Sequence, residues 1–226
     1  MENPCNAHSV DGNHVLAVMF DFGGVLAEEG FREGLVAIGK SRGLSPEAFF
    51  SQSAEIAYRS GYVVGLTDER TFWQMVRDET GISGTDGEFR REILDRFVLR
   101  PWMLELASAL RTKGVITAIL SDQTDWLDEL DRAHDFFRHF DRVFNSYHLG
   151  KGKRDPSVFL DTTKDLGVPP ERTLFIDDNP GNVERAASCG LLTIRYTERR
   201  AFFRDLQSVC ETAVSPRSEC SMAYTR

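Results

Sequence analysis

The sequence predicts an α/β fold, a doubly wound parallel sheet with a helical cap inserted after the first strand. Short continuous apolar runs, such as Val15–Phe20 and Val115–Leu120, alternate with amphipathic stretches. Strands that helices cover on both faces have this uninterrupted apolar character. More than 90 residues separate these first two strands, which is far more than a single crossover needs. The long stretch between them therefore predicts an insertion.

Three further apolar runs complete the predicted sheet. They are Arg142–Asn145, Thr173–Ile176 and Leu192–Tyr196. A helix is predicted from Pro156 to Gly167, because proline is favoured in the first turn of a helix and glycine follows its last. Strands that alternate with helices in this way indicate a Rossmann-like core.

The predicted cap covers residues 31–99, and the core covers residues 14–30 and 100–211. Residues 1–13 and 212–226 are polar and without periodicity, so we expect them to be tails. Four helices are predicted within the cap from its apolar spacing. They are Gly34–Arg42, Pro46–Arg59, Glu69–Glu79 and Glu88–Phe97.

Composition excludes several classes of function. The net charge is −8 and the pI is about 5.2, without a basic block, so neither nucleic acid nor a membrane surface is an expected partner. No apolar run is long enough for a membrane-spanning helix, and the first residues lack the apolar stretch of a secretion signal. The four cysteines form no regular spacing, which favours a reducing cytoplasm. A monomer and a homodimer both remain open.

Polar residues directly follow the predicted strands. Asp21 follows the first, Ser121-Asp122 the second, and Asp177-Asp178 the fourth, while Lys153 lies in the loop after the third. Ligands in doubly wound sheets bind beyond the carboxyl ends of the strands, so we expect these side chains to converge. Clustered carboxylates repel one another unless a hard cation such as Mg²⁺ holds them. Together with a lysine and a hydroxyl, they predict a phosphate site.

Four segments stand out in order along the chain. They are FDFGGVL at 20–26, ILSDQ at 119–123, GKGKRDPSVF at 150–159 and FIDDNPGNVERAASCG at 175–190. In order and spacing they resemble the motifs of the haloacid dehalogenase superfamily, in its branch with a helical cap. The resemblance spans roughly residues 15–197, and within it the chain is similar to sugar-phosphate phosphatases and to the phosphatase domain of soluble epoxide hydrolases.

The resemblance implies a role for each residue. Asp21 would be the nucleophile, forming an aspartyl-phosphate, and it would also bind Mg²⁺ together with the Gly23 carbonyl and Asp178. Asp177 would be a further ligand or an orienting partner. Ser121 and Lys153 would hold the phosphoryl group of a small phosphorylated metabolite, with Lys151 as the rival lysine, and Asp122 would border the substrate.

Gly23 departs from the family pattern. Phosphatases of this family usually carry an aspartate there, which protonates the leaving oxygen and later activates water. Losing such help typically costs about 10²–10⁴-fold in rate. Three interpretations follow: the substrate has a good leaving group, another residue such as Glu28, Glu29 or a cap residue serves instead, or the protein binds phosphate esters and turns them over poorly. The last would make it a catalytically weak binding or regulatory protein.

Other features bear on these alternatives. Dehalogenases of the superfamily also lack the aspartate at the position of Gly23, but they generally lack the acidic pair as well, so a 2-haloacid dehalogenase is the less favoured alternative. Asp122 stands where asparagine is common, and Arg154 replaces the usual proline and is expected at the surface. Within the cap, four side chains are candidates for contact with the substrate. They are Tyr58, Arg59, Tyr62 and Trp73.

Overall fold

A computed structural model describes residues 15–212, and side chains up to residue 209. The predicted N-terminal tail, and all but the first residue of the predicted C-terminal tail, lie outside the described residues, as do Cys5 and Cys220. The described chain contains one parallel sheet, which confirms the predicted fold class. Its strands are β1 (Ala17–Phe20), β2 (Ile116–Ser121), β3 (Arg142–Asn145), β4 (Thr173–Asp177) and β5 (Leu192–Arg195), in the spatial order β3-β2-β1-β4-β5.

Both faces of the sheet are buried, which explains the uninterrupted apolar strands. Side chains alternate along β1, so Val18 and Phe20 join one hydrophobic cluster while Ala17 and Met19 join another on the opposite face. All four strand pairs are parallel. The order places β1 at the centre, with β4 beside it, where the direction of winding reverses. Crevices that bind ligands lie at this switch point.

Helices connect the strands, with short 3₁₀ helices at Tyr62–Val64, Phe137–His139 and Pro170–Arg172. None of the helices within the described residues is long and apolar enough to cross a membrane. The α-helices are α1 (Gly30–Ser41), α2 (Pro46–Arg59), α3 (Glu69–Thr80), α4 (Asp86–Leu94), α5 (Pro101–Thr112), α6 (Trp126–His134), α7 (Ser146–Leu149), α8 (Ser157–Leu166), α9 (Pro180–Ser188) and α10 (Arg199–Thr212).

Helices α1 to α4 lie between β1 and β2 and are called the helical insertion below. Two of them begin earlier than predicted, because side chains cap their first turns. The Glu29 carboxylate accepts a hydrogen bond from the backbone N–H of Arg32, so α1 begins at Gly30. A capping box between Thr85 and Glu88 starts α4 at Asp86.

The helical insertion and the sheet share one hydrophobic cluster. Trp126, at the start of α6, packs against the rings of Tyr62, Phe72 and Trp73 from the insertion. The two segments that connect the insertion to the sheet also pair, since Ala27 forms an antiparallel bridge with residue 99. The insertion is therefore packed onto the core around Trp126 as well as joined to it at its two ends.

Candidate active site

The carboxyl ends of three neighbouring strands bring the predicted residues together. Asp21 directly follows β1, Ser121 ends β2 and Asp177 ends β4. Phe20, directly before Asp21, lies opposite Ile119 of β2 and Ile176 of β4, so the three strands finish at nearly the same level. Parallel strands present their ends at one edge of a sheet, and here that edge carries two carboxylates and a hydroxyl.

Asp21 is held by three donors on the same oxygen. Its Oδ1 accepts hydrogen bonds from the backbone N–H of Phe22 at 2.7 Å and from the Ser121 hydroxyl at 3.0 Å, and lies 2.7 Å from the Lys153 Nζ. Within the described residues, no donor reaches its other oxygen, Oδ2. The carboxylate is thus fixed in one orientation, with one oxygen left for a cation or for attack.

Lys153 lies between two carboxylates and is 1% exposed. Its Nζ is 2.7 Å from Asp21 Oδ1 and 2.7 Å from Asp177 Oδ2. Burial alone would lower the pKa of this lysine, but attraction to Asp177 and Asp21 raises it above the ordinary value, so the ammonium stays charged. A buried lysine paired in this way is a fixed positive charge at the strand ends.

Two contacts hold the loop that carries this lysine. Asp122 Oδ1 accepts a hydrogen bond from the Lys153 backbone N–H at 2.8 Å, and the Arg185 guanidinium donates to the Lys153 carbonyl at 2.7 Å. Asp122 Oδ2 accepts from the Tyr58 hydroxyl at 3.1 Å, which ties the loop to α2. Sequence reasoning missed Arg185, because nothing local indicates that a side chain on α9 reaches a distant loop.

Three carboxylates could hold a metal ion. One oxygen from each of Asp21, Asp177 and Asp178 lies within 4.8 Å of the others. Burial raises the pKa of Asp21 well above its usual range, with Lys153 opposing the shift, and burial also raises the pKa of Asp178, assisted by Asp177. One lysine does not balance this negative charge, so the donor set fits a hard divalent cation.

The two aspartates after β4 are not equivalent. Asp177 is fully buried, and its oxygens accept from Lys153, from the backbone N–H of Asn179 at 2.8 Å and from the Asn182 side chain. The Asp178 carboxylate has no hydrogen bond or ion pair with any other residue in the described chain. Asp177 therefore suits an orienting role, and the Asp178 carboxylate is the freer of the two to bind a cation.

Gly24 lets Asp178 approach the turn after β1. A Cβ at Gly24 would lie about 2.4 Å from Asp178 Oδ2, and the φ of Gly24 is +78°. Only glycine adopts this conformation without strain while also leaving the space that the carboxylate fills. The neighbouring Gly23 has no positive φ, but a Cβ there would lie 2.7 Å from Glu29 Oε2.

A cavity of about 420 Å³ opens over these residues. Such a volume suits a small metabolite. The strand-end side of the cavity contains all the predicted site residues except Asp177, which is fully buried. The opposite side comes from the helical insertion and was largely missed, since apolar residues at helical spacing carry no local sign of lining a pocket. Its residues are Phe31, Arg32, Phe50, Ala54, Ala57, Tyr58 and Val63.

The remaining candidates separate clearly. Lys151 lies outside the cavity, bound to Ser157 and Asp161. Of the four cap candidates only Tyr58 lines the cavity; Arg59 pairs with Glu79, while Tyr62 and Trp73 are buried in the shared hydrophobic cluster. Arg154 is exposed, as expected, and its guanidinium stacks 3.5 Å above the Tyr58 ring.

Glu28 and Glu29 point to different surroundings. Glu28 is half-exposed and pairs with Arg100, with one contact of 2.8 Å. Glu29 lines the same cavity as Asp21 and Lys153 and has no ion pair with any residue that the structure describes. Burial raises the pKa of Glu29 from its usual range to about 7. The segment that sequence analysis singled out thus holds one surface glutamate and one within the site.

Solved structures share this architecture. The HAD family enzyme bt-2542 from Bacteroides thetaiotaomicron was crystallised with magnesium and inorganic phosphate. It aligns with a TM-score of 0.65 at 21% identity, covering 84% of this chain and 100% of that one. L-2-haloacid dehalogenase from Xanthobacter autotrophicus aligns with a TM-score of 0.59 at 21% identity, covering 86% and 83%. At these identities, the likeness is one of fold.

Sequence comparison leads to a family. Bifunctional epoxide hydrolase 2 of Rattus norvegicus is 29% identical over 131 residues, which are 55% of this chain and 23% of that protein. The chain thus spans less than a third of that relative's length. The profile of the haloacid dehalogenase-like hydrolases matches residues 15–190, nearly the whole described region. Together with the fold and the carboxylate cluster at the strand ends, this match identifies the chain as a member of the haloacid dehalogenase-like hydrolase family.

Proposed function

We propose that this hydrolase is a magnesium-dependent phosphatase of a small phosphorylated metabolite, acting through an aspartyl-phosphate on Asp21. One observation carries the proposal: Asp21, Asp177 and Asp178 lie together, within 4.8 Å, beside the buried Lys153 and the Ser121 hydroxyl. Carboxylates for a hard cation, a fixed ammonium and a hydroxyl donor are what a transferring phosphoryl group requires.

Asp21 is the proposed nucleophile. Three donors fix its Oδ1, so the carboxylate does not have to be reoriented before attack. Its oxygen forms the new bond to phosphorus while the bond to the leaving oxygen breaks, and water then releases inorganic phosphate. Lys153 would neutralise the phosphoryl oxygens and Ser121 would donate a hydrogen bond to them. Each would then contact the substrate in addition to, or in place of, its contact with Asp21.

Asp21, the Gly23 carbonyl and Asp178 would hold the Mg²⁺, with Asp177 orienting the group through Lys153 and Asn182. When bound there, Mg²⁺ supplies positive charge that offsets the repulsion between the carboxylates and the phosphate. The crystallised complex of bt-2542 with magnesium and phosphate supports this choice of ion by analogy.

A phosphate-release assay over a panel of sugar phosphates, acyl phosphates and aryl phosphates tests the proposal. We expect release that requires Mg²⁺, stops with EDTA, and falls by roughly 10⁴-fold or more in the Asp21→Asn variant, because the nucleophile is gone. Thermal unfolding checks that the variant folds. Release of phosphate from no compound in the panel would contradict the proposal.

Two rivals predict different results. A dehalogenase would release chloride from 2-haloacids, and EDTA would not change the rate; the acidic pair Asp177-Asp178 argues against it. A weakly catalytic binding protein would bind a phosphate ester with Mg²⁺ and yield less than one turnover per site. The absence of an acid on residue 23 itself favours that rival, unless another group supplies the proton.

A further inference from the structure

We propose that Glu29 is the general acid and base of this active site, replacing the side chain that Gly23 lacks. The inference deepens the proposed phosphatase function and depends on it. It assigns a catalytic role to a residue eight positions after the nucleophile, on the turn that leads into α1.

The first argument is the place that the carboxylate occupies. A Cβ at Gly23 would lie 2.7 Å from Glu29 Oε2 and 3.5 Å from its Cδ. The carboxyl carbon of an aspartate lies about 1.5 Å beyond its Cβ. An aspartate at this position would therefore bring its side chain against the Glu29 carboxylate, so the two acids would compete for the same place.

The second argument is that the carboxylate is held at one oxygen and open at the other. Glu29 Oε1 accepts from the Arg32 backbone N–H at 3.3 Å, as the N-cap of α1. Gly30 brings the helix start against Phe97, because a Cβ there would lie 2.6 Å from the Phe97 ring. These contacts leave Oε2, the oxygen nearest to Gly23, available to a substrate in the cavity.

The third argument is elimination among the carboxylates of the cavity. Asp21 is the proposed nucleophile and Asp178 the proposed metal ligand. Both oxygens of Asp122 accept hydrogen bonds, from the Lys153 backbone and from Tyr58. The rival Glu28 is bound to the Arg100 guanidinium. Among the described residues, this leaves the Glu29 carboxyl group to carry a proton to the leaving oxygen.

The proton balance is complete with water as co-reactant. As Asp21 forms its bond to phosphorus, the phosphorus–oxygen bond of the ester breaks and the electron pair goes to the leaving oxygen, which takes the proton of the Glu29 carboxyl. Glu29, now a carboxylate, removes a proton from water as the water oxygen attacks phosphorus. The Asp21–phosphorus bond breaks, inorganic phosphate leaves, and Glu29 is protonated again.

The test compares two esters of nearly the same shape, 4-nitrophenyl phosphate and phenyl phosphate, with Mg²⁺ present. Only the second has a poor leaving group that needs protonation. We expect Glu29→Gln to lower kcat/KM for phenyl phosphate by roughly 10²–10⁴-fold, and for 4-nitrophenyl phosphate by less than about tenfold. Glutamine keeps the acceptor for the Arg32 N–H. Glu28→Gln is the matched control and should leave the ratio between the two esters unchanged.

A relocated acid sharpens the test. Gly23→Asp alone should lower the activity, because the new side chain collides with Glu29. Combined with Glu29→Ala it should fit, and should recover at least tenfold of the phenyl phosphate activity that Glu29→Ala loses. If the double variant hydrolysed phenyl phosphate no faster than Glu29→Ala, the claim that both positions can place a carboxyl group at the same point would be contradicted.

The two proposals fail differently. If the wild-type protein releases phosphate from its substrates while Glu29→Gln loses nothing, or loses the same factor on both esters, the assignment of Glu29 is overturned and the phosphatase function stands. If the wild-type protein hydrolyses neither ester nor any compound of the broader panel, the phosphatase function fails and the assignment fails with it.

Discussion

The two sides of the cavity are built on different physical principles. On the strand-end side, Asp21, Lys153 and Asp177 are buried charges, each held by the others at 2.7 Å or by backbone donors. The side from the helical insertion is mostly apolar, with Phe31 and Phe50 among its residues. Its polar links to the segments that follow the strands are few: the Tyr58 hydroxyl donates to Asp122, and the Val63 carbonyl accepts from the Ser146 hydroxyl.

The difference teaches where the constraints on this protein lie. A buried charge that loses its partner is costly to the folded state, so residues at the strand ends can hardly be changed one at a time. An apolar lining responds to substitution mainly through its volume and shape. The proposed nucleophile and metal ligands therefore lie at the strand ends, and we expect the choice of substrate to follow the side chains of the insertion.

The largest expected effect contrasts two lysines of one loop. Lys153→Met leaves Asp21 and Asp177 buried without their cation, which should destabilise the fold by about 3–5 kcal/mol and abolish turnover. Lys151→Met removes contacts near the surface, with Asp161 and Ser157, and should cost less than about 1 kcal/mol. Thermal unfolding and phosphate release measure both. Equal effects of the two changes would erase the contrast between buried and exposed charge.

An intermediate effect contrasts two glycines of positive φ. Gly24→Ala and Gly43→Ala each introduce backbone strain of about 1–2 kcal/mol. Only Gly24 faces a neighbour, since a Cβ there meets the Asp178 carboxylate, whereas nothing lies within 4 Å at Gly43. We therefore expect a weaker apparent affinity for Mg²⁺ in Gly24→Ala alone. The affinity is measured from the dependence of activity on the Mg²⁺ concentration. An unchanged affinity in Gly24→Ala would contradict the role of Asp178 as a ligand.

The smallest expected effect lies on the insertion side. Tyr58→Phe removes the hydrogen bond to Asp122 and should cost about 1 kcal/mol of stability. It should change kcat/KM only a few-fold. Tyr147→Phe is the control, because its hydroxyl bonds to no residue in the described chain. If Tyr58→Phe instead lowered kcat/KM as severely as Lys153→Met, the Tyr58 hydroxyl would take part in catalysis.

Much of the fold could be predicted because its signals are local. Helix α2 was predicted with its observed bounds, since Pro46 at its start and the apolar spacing to Arg59 are both readable along the chain. Helix α1 was predicted from apolar spacing to start at Gly34, four residues after its observed start at Gly30. The cap by Glu29 depends on where a side chain points, which spacing does not reveal.

The site was predictable to the extent that parallel strands end together. Asp21, Ser121 and Asp177 converge for that reason alone. Contacts between segments far apart in sequence were not predictable, such as the Tyr58 hydroxyl on Asp122 or Arg185 on the carbonyl of Lys153. Such contacts depend on how helices pack against one another, which a single sequence does not encode at the level of individual residues.

The bridge between Ala27 and Leu99 bears on whether the helical insertion can be exchanged between related proteins. Because the chain leaves and re-enters the sheet side by side, an insertion of another length would join the core at the same two neighbouring segments. Arg100 reinforces this junction by binding the carbonyls of Gly24 and Val25. Glu29 lies on the outer side of the bridge, so a graft made there would carry away the acid together with the substrate-facing wall. A chimera that keeps this core but takes another insertion would then need a proton donor from the new insertion, or an acidic residue at position 23.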